Sequence, residues 1–202
     1  MAAQRLDKII ASMGRWSRRE VKDLVRQGRV TVDGVPARSA EEKADPEQAV
    51  IAVNGEKLNW RRYTWVMLNK PAGYLSATED GRGATVLDLL SQDLQRQGLF
   101  PVGRLDKDTE GLLLLTNEGG LAHELLSPKK HVDKEYYVRV AGRLTEADSA
   151  AFAAGLHLDD GLVCQPAELR VMTSGEESEA RVILREGKFH QIKRMLAYLG
   201  KP

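Results

Sequence analysis

Four consecutive leucines, Leu112 to Leu115, constrain the fold of this chain more than any other stretch. They lie inside "GRLDKDTEGLLLLTNEGG", Gly103 to Gly120. A strand with an apolar residue at every position has no polar face to offer water, so the run reads as the middle of a buried strand. Just upstream stand Arg104, Asp106, Asp108 and Glu110. Ionised groups beside a core are costly unless they are paired or used. Taken alone, Asp106 is an ordinary solvated loop acid; its surroundings in the chain decide whether it is more.

Those surroundings read as α+β. "RLDKIIASM" spaces Leu6, Ile9, Ile10 and Met13 as one face of a helix. "SRRE", Ser17 to Glu20, is a capping-box pattern that opens a second helix, and Gly28 is positioned to stop it. Arg29 to Val32 and Val35 to Arg38, joined by Asp33-Gly34, read as a hairpin with a tight turn. "EEKADPEQ" reads as an acidic loop, and Val50 to Val53 followed by Asn54-Gly55 as a further strand and turn. After a linker at residues 59–63 comes the strand "TWVMLNKPAGYL", broken by Lys70-Pro71 and Gly73. "TVLDLL" starts a helix at Thr85, "EYYVRV" and "EARVILREG" read as strands, and "LTEADSAAFAAGL" as a helix capped by Thr145. The helix of "KFHQIKRMLAYLG" stops at Gly200.

The 202 residues suffice for a small module and a larger domain. No apolar run approaches membrane-spanning length, and the N-terminus lacks a signal-peptide pattern, so no membrane association is expected. A lone cysteine, Cys164, excludes an internal disulfide, fits a cytoplasmic location and reads as a small apolar filler. The histidines His123, His131, His157 and His190 have neither short pair spacing nor cysteine companions, so no metal site is expected. Phosphate-binding glycine patterns and a serine-hydrolase elbow are also missing, and no cofactor is expected. The net charge of +1 conceals an asymmetry. Residues 1–38 hold nine Lys and Arg against four Asp and Glu, a net +5, while the rest holds 21 against 25. A basic front end on a mildly acidic body suits the approach to a polyanion.

The N-terminal pieces "RLDKII", "SRREVKDLVRQGRVTVDG" and "VIAVNGEKL" resemble the small RNA-binding domain first recognised in ribosomal protein S-four. The resemblance implies a helix-hairpin domain over residues 1–60 whose second helix faces RNA, with Arg15, Arg18, Arg19, Lys22 and Arg26 near phosphates. Such contacts position RNA and carry little base information. "VGRLDKDTEGLLLLTNEG" resembles the active-site motif of RsuA-type bacterial rRNA pseudouridine synthases, and "MLNKPAGYLSAT", "SPKKHVDKEYYVRVAG" and "EGKFHQIKRMLAYLG" match in the same order. Family members continue past the last of these with further strands, which implies that residues 61–202 are a catalytic domain, mixed and mainly antiparallel in its sheets, cut short at its C-terminus.

The resemblance implies an isomerase that converts a specific uridine of rRNA to pseudouridine. Its residue roles follow position by position. Asp106 matches the catalytic aspartate, attacking the sugar or taking a proton from it. A neighbouring cation offsets the burial of such a carboxylate; Lys193 holds the family's basic position, with Arg194 the second choice there and otherwise a substrate-binding residue. Tyr136 matches the tyrosine that stacks on the target base, and strand alternation leaves Tyr137 on the opposite face. Arg104 helps to hold the nucleotide extruded from its helix, which costs a few kcal/mol to flip. Leu105 packs beneath the loop, and Asp108 and Glu110 read as loop and strand-edge residues. The partner expected is rRNA or a ribosomal-subunit assembly intermediate, with the protein a monomer. "SPKKHVDKEY" and "TVLDLL" favour 16S small-subunit rRNA. The alternatives are 23S large-subunit rRNA, or a non-catalytic RNA-binding assembly factor.

Overall fold

A computed structural model describes residues 2–130 and 132–202, so His131 lies outside the described residues. The chain forms two compact units, Met1–Ala122 and His123–Pro202.

The first unit opens with β1 (Gln4–Arg5), which runs straight into α1 (Leu6–Ala11) and then α2 (Arg18–Arg26). The capping box at α2 is present. Ser17 Oγ accepts from the Glu20 N–H at 3.2 Å, and the Glu20 carboxylate accepts from the Ser17 N–H at 2.6 Å. Hairpin strands β2 (Val30–Val32) and β3 (Val35–Pro36) are joined by Asp33 and Gly34 at φ 50° and 80°, the left-handed pair that a two-residue hairpin turn demands. β4 (Lys43–Ala44), β5 (Ile51–Val53) and β6 (Glu56–Lys57) follow, and one antiparallel sheet runs β3-β2-β5-β6. Contrary to the expectation of a plain loop, "EEKADPEQ" contains β4, which pairs with β1. Its partner lies far away in the chain, and two residues carry no alternation to read. Leu6, Ile9, Ile10, Val21, Val30 and Val53 are the heart of this core.

Asp7 is buried beside that core, 1 % exposed. Burial pushes its carboxyl up, but hydrogen bonds from Arg5 and Arg18 outweigh this and hold it below the usual carboxylate value. The Arg5 guanidinium meets both oxygens, at 3.1 and 2.9 Å, and Arg18 reaches one at 2.9 Å. A carboxyl depressed on folding contributes stability above about pH 3.9, and that contribution is lost as pH falls through the lower folded value. Asp7→Asn is therefore expected to destabilise the chain by about 2–4 kcal/mol at neutral pH, with the gap to the parent closing in acid. Denaturant midpoints at both pH values check this, and identical neutral midpoints would contradict it.

The same unit continues with β7 (Trp65–Lys70), a 3-10 helix at Val86–Leu89 capped by Thr85, and α3 (Gln92–Gln95). β8 (Phe100–Val102) and β9 (Gly111–Thr116) complete an antiparallel sheet of order β7-β9-β8. The leucine run is the central strand, but only one of its faces is fully buried. Leu113 and Leu115 pack with Val86 and Leu99, whereas Leu112 is 65 % exposed. Successive residues of a strand point to opposite faces, so full burial needs a second packed layer, which Leu112 lacks among the described residues. α4 (Gly119–Leu126) begins in this unit and ends in the next.

In the second unit, β10 (Lys134–Ala141), α5 (Glu146–Ala154), β11 (Glu168–Thr173), β12 (Glu177–Leu184) and α6 (Gln191–Tyr198) follow in order. The sheet runs β10-β12-β11, all antiparallel, and buries Phe152, Leu169, Val182 and Met195. α5 carries the Thr145–Asp148 capping box, and Gly200 at φ 72° follows the end of α6. Cys164 is buried and burial raises its thiol, in keeping with a packing role. Among the described residues, no helix is long and apolar enough to cross a membrane.

Candidate active site

Asp106 sits in the loop between β8 and β9, and the centre of that loop is a lysine from another strand. Lys70 ends β7 with its side chain wholly buried. Its ammonium donates to four backbone carbonyls: Pro71 at 3.1 Å, Asp106 at 3.0 Å, Lys107 at 3.2 Å and Thr109 at 2.8 Å. Three N–H bonds serve four oxygens, so at least one is shared. The chain is thereby wrapped around a buried cation, with the segment 106–109 as a collar. Burial lowers the Lys70 amine, and the negative charges of Asp108, Glu110 and Asp106 act against that fall.

Other bonds fix the same loop. Ser76 Oγ donates to the Leu105 carbonyl at 2.8 Å and accepts from its N–H at 3.1 Å. The Gly73 N–H donates to the Lys107 carbonyl at 2.7 Å, and Thr109 N–H to that of Asp106 at 3.0 Å. Leu105 packs beneath on the Leu99–Leu113 cluster. The loop enters and leaves through Gly103 (φ 86°) and Gly111 (φ 120°), where a side chain would be strained. Asp106 is half-buried on this frame, while Arg104, Asp108 and Glu110 are exposed. A carboxylate held at a set place by a rigid backbone, beside a buried positive charge, is equipped for nucleophilic or proton-transfer work.

In the sequence Lys70 reads only as the point where a strand breaks, with no sign that it holds the Asp106 loop. One signal does set it apart: a lysine closing the largely apolar strand Trp65–Lys70, directly before proline. The cation expected near Asp106 from the sequence was Lys193. In the structure the first unit supplies one of its own.

Arg104 and Asp106 share one loop, whereas Tyr136, Lys193 and Arg194 belong to the second unit. Tyr136 stands on β10 opposite Val182, half-buried against the core, and Tyr137 is 55 % exposed on the other face. A hydrogen bond with Glu179, then burial, raises the Tyr137 hydroxyl. Lys193 is exposed on α6. Its neighbour Arg194 donates to the Phe189 carbonyl at 3.3 Å and pairs with Asp160, so it braces the turn that precedes its own helix.

The basic residues of the front module are mostly drawn into ion pairs. Arg18 holds Asp7, Lys22 holds Glu41, Arg26 holds Asp23, and Arg15 holds Glu56. Arg19 is exposed and, among the described residues, enters no such pair. Surface pairs of this kind are worth about 0–1 kcal/mol; Arg18 differs in that, together with Arg5, it holds a buried acid, Asp7.

Residues 64–198 match the family described as RNA pseudouridylate synthase, and residues 4–50 match the S4 domain. The chain is 45% identical to the uncharacterized RNA pseudouridine synthase YtzG of Bacillus subtilis, over 97% of this chain and 82% of that protein. It is 38% identical to the ribosomal small subunit pseudouridine synthase A of Salmonella typhimurium, over 97% of this chain and 84% of that one. Among solved structures it matches a pseudouridylate synthase crystal structure at 34% identity and a TM-score of 0.63, covering 98% of this chain and 84% of the other.

Proposed function

The chain belongs to the RNA pseudouridylate synthase family, and we propose that it isomerises one uridine of 16S small-subunit rRNA with Asp106 as the catalytic carboxylate. The enzyme class, an isomerase, follows from the family. The reaction breaks the bond between uracil N1 and ribose C1′, turns the base, joins C5 to C1′, and releases the C5 proton as N1 regains one. Atoms and charge balance without an oxidant, reductant or group donor, so neither a metal nor an organic cofactor is assigned a role. Asp106 either attacks C1′ or accepts a proton from the sugar. The observation that carries its assignment is the four-carbonyl collar around Lys70, which holds the Asp106 backbone and a positive charge together.

The other roles follow the family pattern. Tyr136 stacks on the target base, Arg104 holds the extruded nucleotide, and Lys193 supplies the basic group at the reacting centre, with Arg194 bracing its helix. Residues 1–60 serve as the RNA-positioning domain and 61–202 as the catalytic one, in a cytoplasmic monomer acting on rRNA or a subunit assembly intermediate. Small-subunit rRNA is favoured by likeness to the Salmonella protein, whose name assigns it that substrate.

Mapping pseudouridines in rRNA from cells with and without the gene tests this reading. One 16S position is expected to lose its modification. A lost 23S position would move the substrate to the large subunit, and an unchanged map would leave a non-catalytic assembly factor. The front module has its own test. Arg19→Glu should weaken rRNA binding and reduce the salt slope by about one released counterion, with stability unchanged. An unaltered slope would make Arg19 a solvated surface group.

A further inference from the structure

The turn that leads into α6, "EGKFHQ" from Glu186 to Gln191, is held in place by an unusual number of polar contacts. Glu186 is buried, and its carboxylate accepts from Gln191 Nε2 at 2.6 Å and from the Gln165 N–H at 2.9 Å. Lys188 Nζ lies 3.1 Å from the same carboxylate and also donates to the Val163 carbonyl. The Lys188 N–H donates to Gln191 Oε1 at 3.0 Å, and Arg194 binds the Phe189 carbonyl and Asp160. His190 adopts a left-handed backbone, φ 49°, which a non-glycine residue keeps only where its surroundings impose it.

What this rigid turn presents to solvent is a phenyl ring. Phe189 is 70 % exposed. Its ring stacks on that of His190, centroids 3.8 Å apart and planes 18° from parallel. A single exposed apolar residue is ordinary, but here a hydrogen-bonded turn with a left-handed residue carries the ring and backs it with a second one. Lys188, Lys193 and Arg194 lie within five residues of it in the chain. Aromatic rings interleaved with cations are the means by which single-stranded nucleic acid is bound, bases on rings and phosphates near cations. An apolar protein contact would not call for this charge-rich setting.

We propose that Phe189, backed by His190, is a stacking platform for an unpaired RNA base. The proposal rests on the chain's acting on RNA, and it adds a contact that the reaction itself does not require. Because the turn is held by its hydrogen bonds and the ring is backed by His190, stacking has less to order, and a preorganised contact retains more of its affinity.

The test is equilibrium binding of a single-stranded oligoribonucleotide containing 2-aminopurine, whose fluorescence is quenched by stacking. It is repeated at several salt concentrations with the parent chain, Phe189→Ala, Phe189→Leu and Phe189→Trp. Alanine and leucine are expected to weaken binding about 5- to 150-fold and to relieve quenching, the range that one stacked base accounts for. Tryptophan should match or exceed the parent, and the salt slope should stay unchanged because no cation is removed. Unchanged thermal midpoints will show that the fold is intact. Parental affinity in the leucine variant would overturn the platform while leaving the isomerase reading untouched. Failure of the parent to bind RNA would overturn both. Parental affinity for naked RNA, with weakened binding to ribosomal subunits alone, would assign the ring to a protein partner and also overturn the proposal.

Discussion

Replacing Lys70 by Met is expected to cut turnover at least about a hundredfold while leaving RNA binding by the front module near that of the parent. The side chain of methionine fits the buried space but carries no donors, so the Pro71 and Thr109 carbonyls lose the ammonium, and those of Asp106 and Lys107 keep only their bonds from the Thr109 and Gly73 N–H groups. Each buried acceptor left without a hydrogen bond costs about 1–3 kcal/mol, offset in part because the ammonium no longer has to be desolvated. A net loss of about 2–4 kcal/mol is expected. Activity suffers more than stability. With its collar released, the loop no longer fixes Asp106, and a displacement of about 1 Å is enough to cost a hundredfold in rate. The linkage has a definite sign. The Lys70 amine is lowered on folding, so the folded chain releases this proton before the unfolded one does. Part of the cost of burying the cation is therefore relieved as pH rises from the folded value towards the ordinary lysine value near 10.4. Lys70→Met should lack that alkaline gain. Stability curves against pH for the two proteins check this, and parallel curves together with parental turnover would remove Lys70 from the site.

Asp106→Asn is expected to abolish turnover while the protein folds and binds RNA as the parent does. The substitution keeps size and shape, and the contact to Lys70 runs through the backbone carbonyl of residue 106, which asparagine retains. Only the charge and the nucleophilic oxygen are lost. A group that acts on the reacting sugar shows this separation of rate from binding. Asp108→Asn should be far milder, since its side chain is exposed and contributes through the charge it adds near Lys70.

What could be read in the chain before its structure was known divides by the range of the interaction. The Ser17–Glu20 cap, the Asp33-Gly34 turn and the Thr145 cap are each decided within four residues, and each stands where it was expected. β4 pairs with β1 from 38 residues or more away, and no local pattern announces it. Leu112 was expected inside because a run of leucines implies burial, but strand geometry sends alternate residues to opposite faces, and one face here is open. Arg18 was placed near phosphates by the resemblance of its helix to an RNA-binding domain; no local pattern announces that Asp7, eleven residues earlier, also engages it. Lys70 was the least legible of all. Its partners are backbone oxygens, three of them 36 to 39 residues ahead, and a carbonyl has no side-chain signature to search for. The motif singled out Asp106 as the candidate, but nothing in it showed the means by which its loop is held.

Release of tritium from rRNA labelled at uracil C5 reports the formation of the C5–C1′ bond directly, since that hydrogen must leave as the bond forms. With chelator present and no nucleotide or cofactor added, the parent enzyme is expected to release tritium from 16S rRNA, and Asp106→Asn to release none above background while binding the same RNA. Parental release by Asp106→Asn would contradict the central claim, and loss of release in Asp108→Asn instead would show that the neighbouring carboxylate does the chemistry.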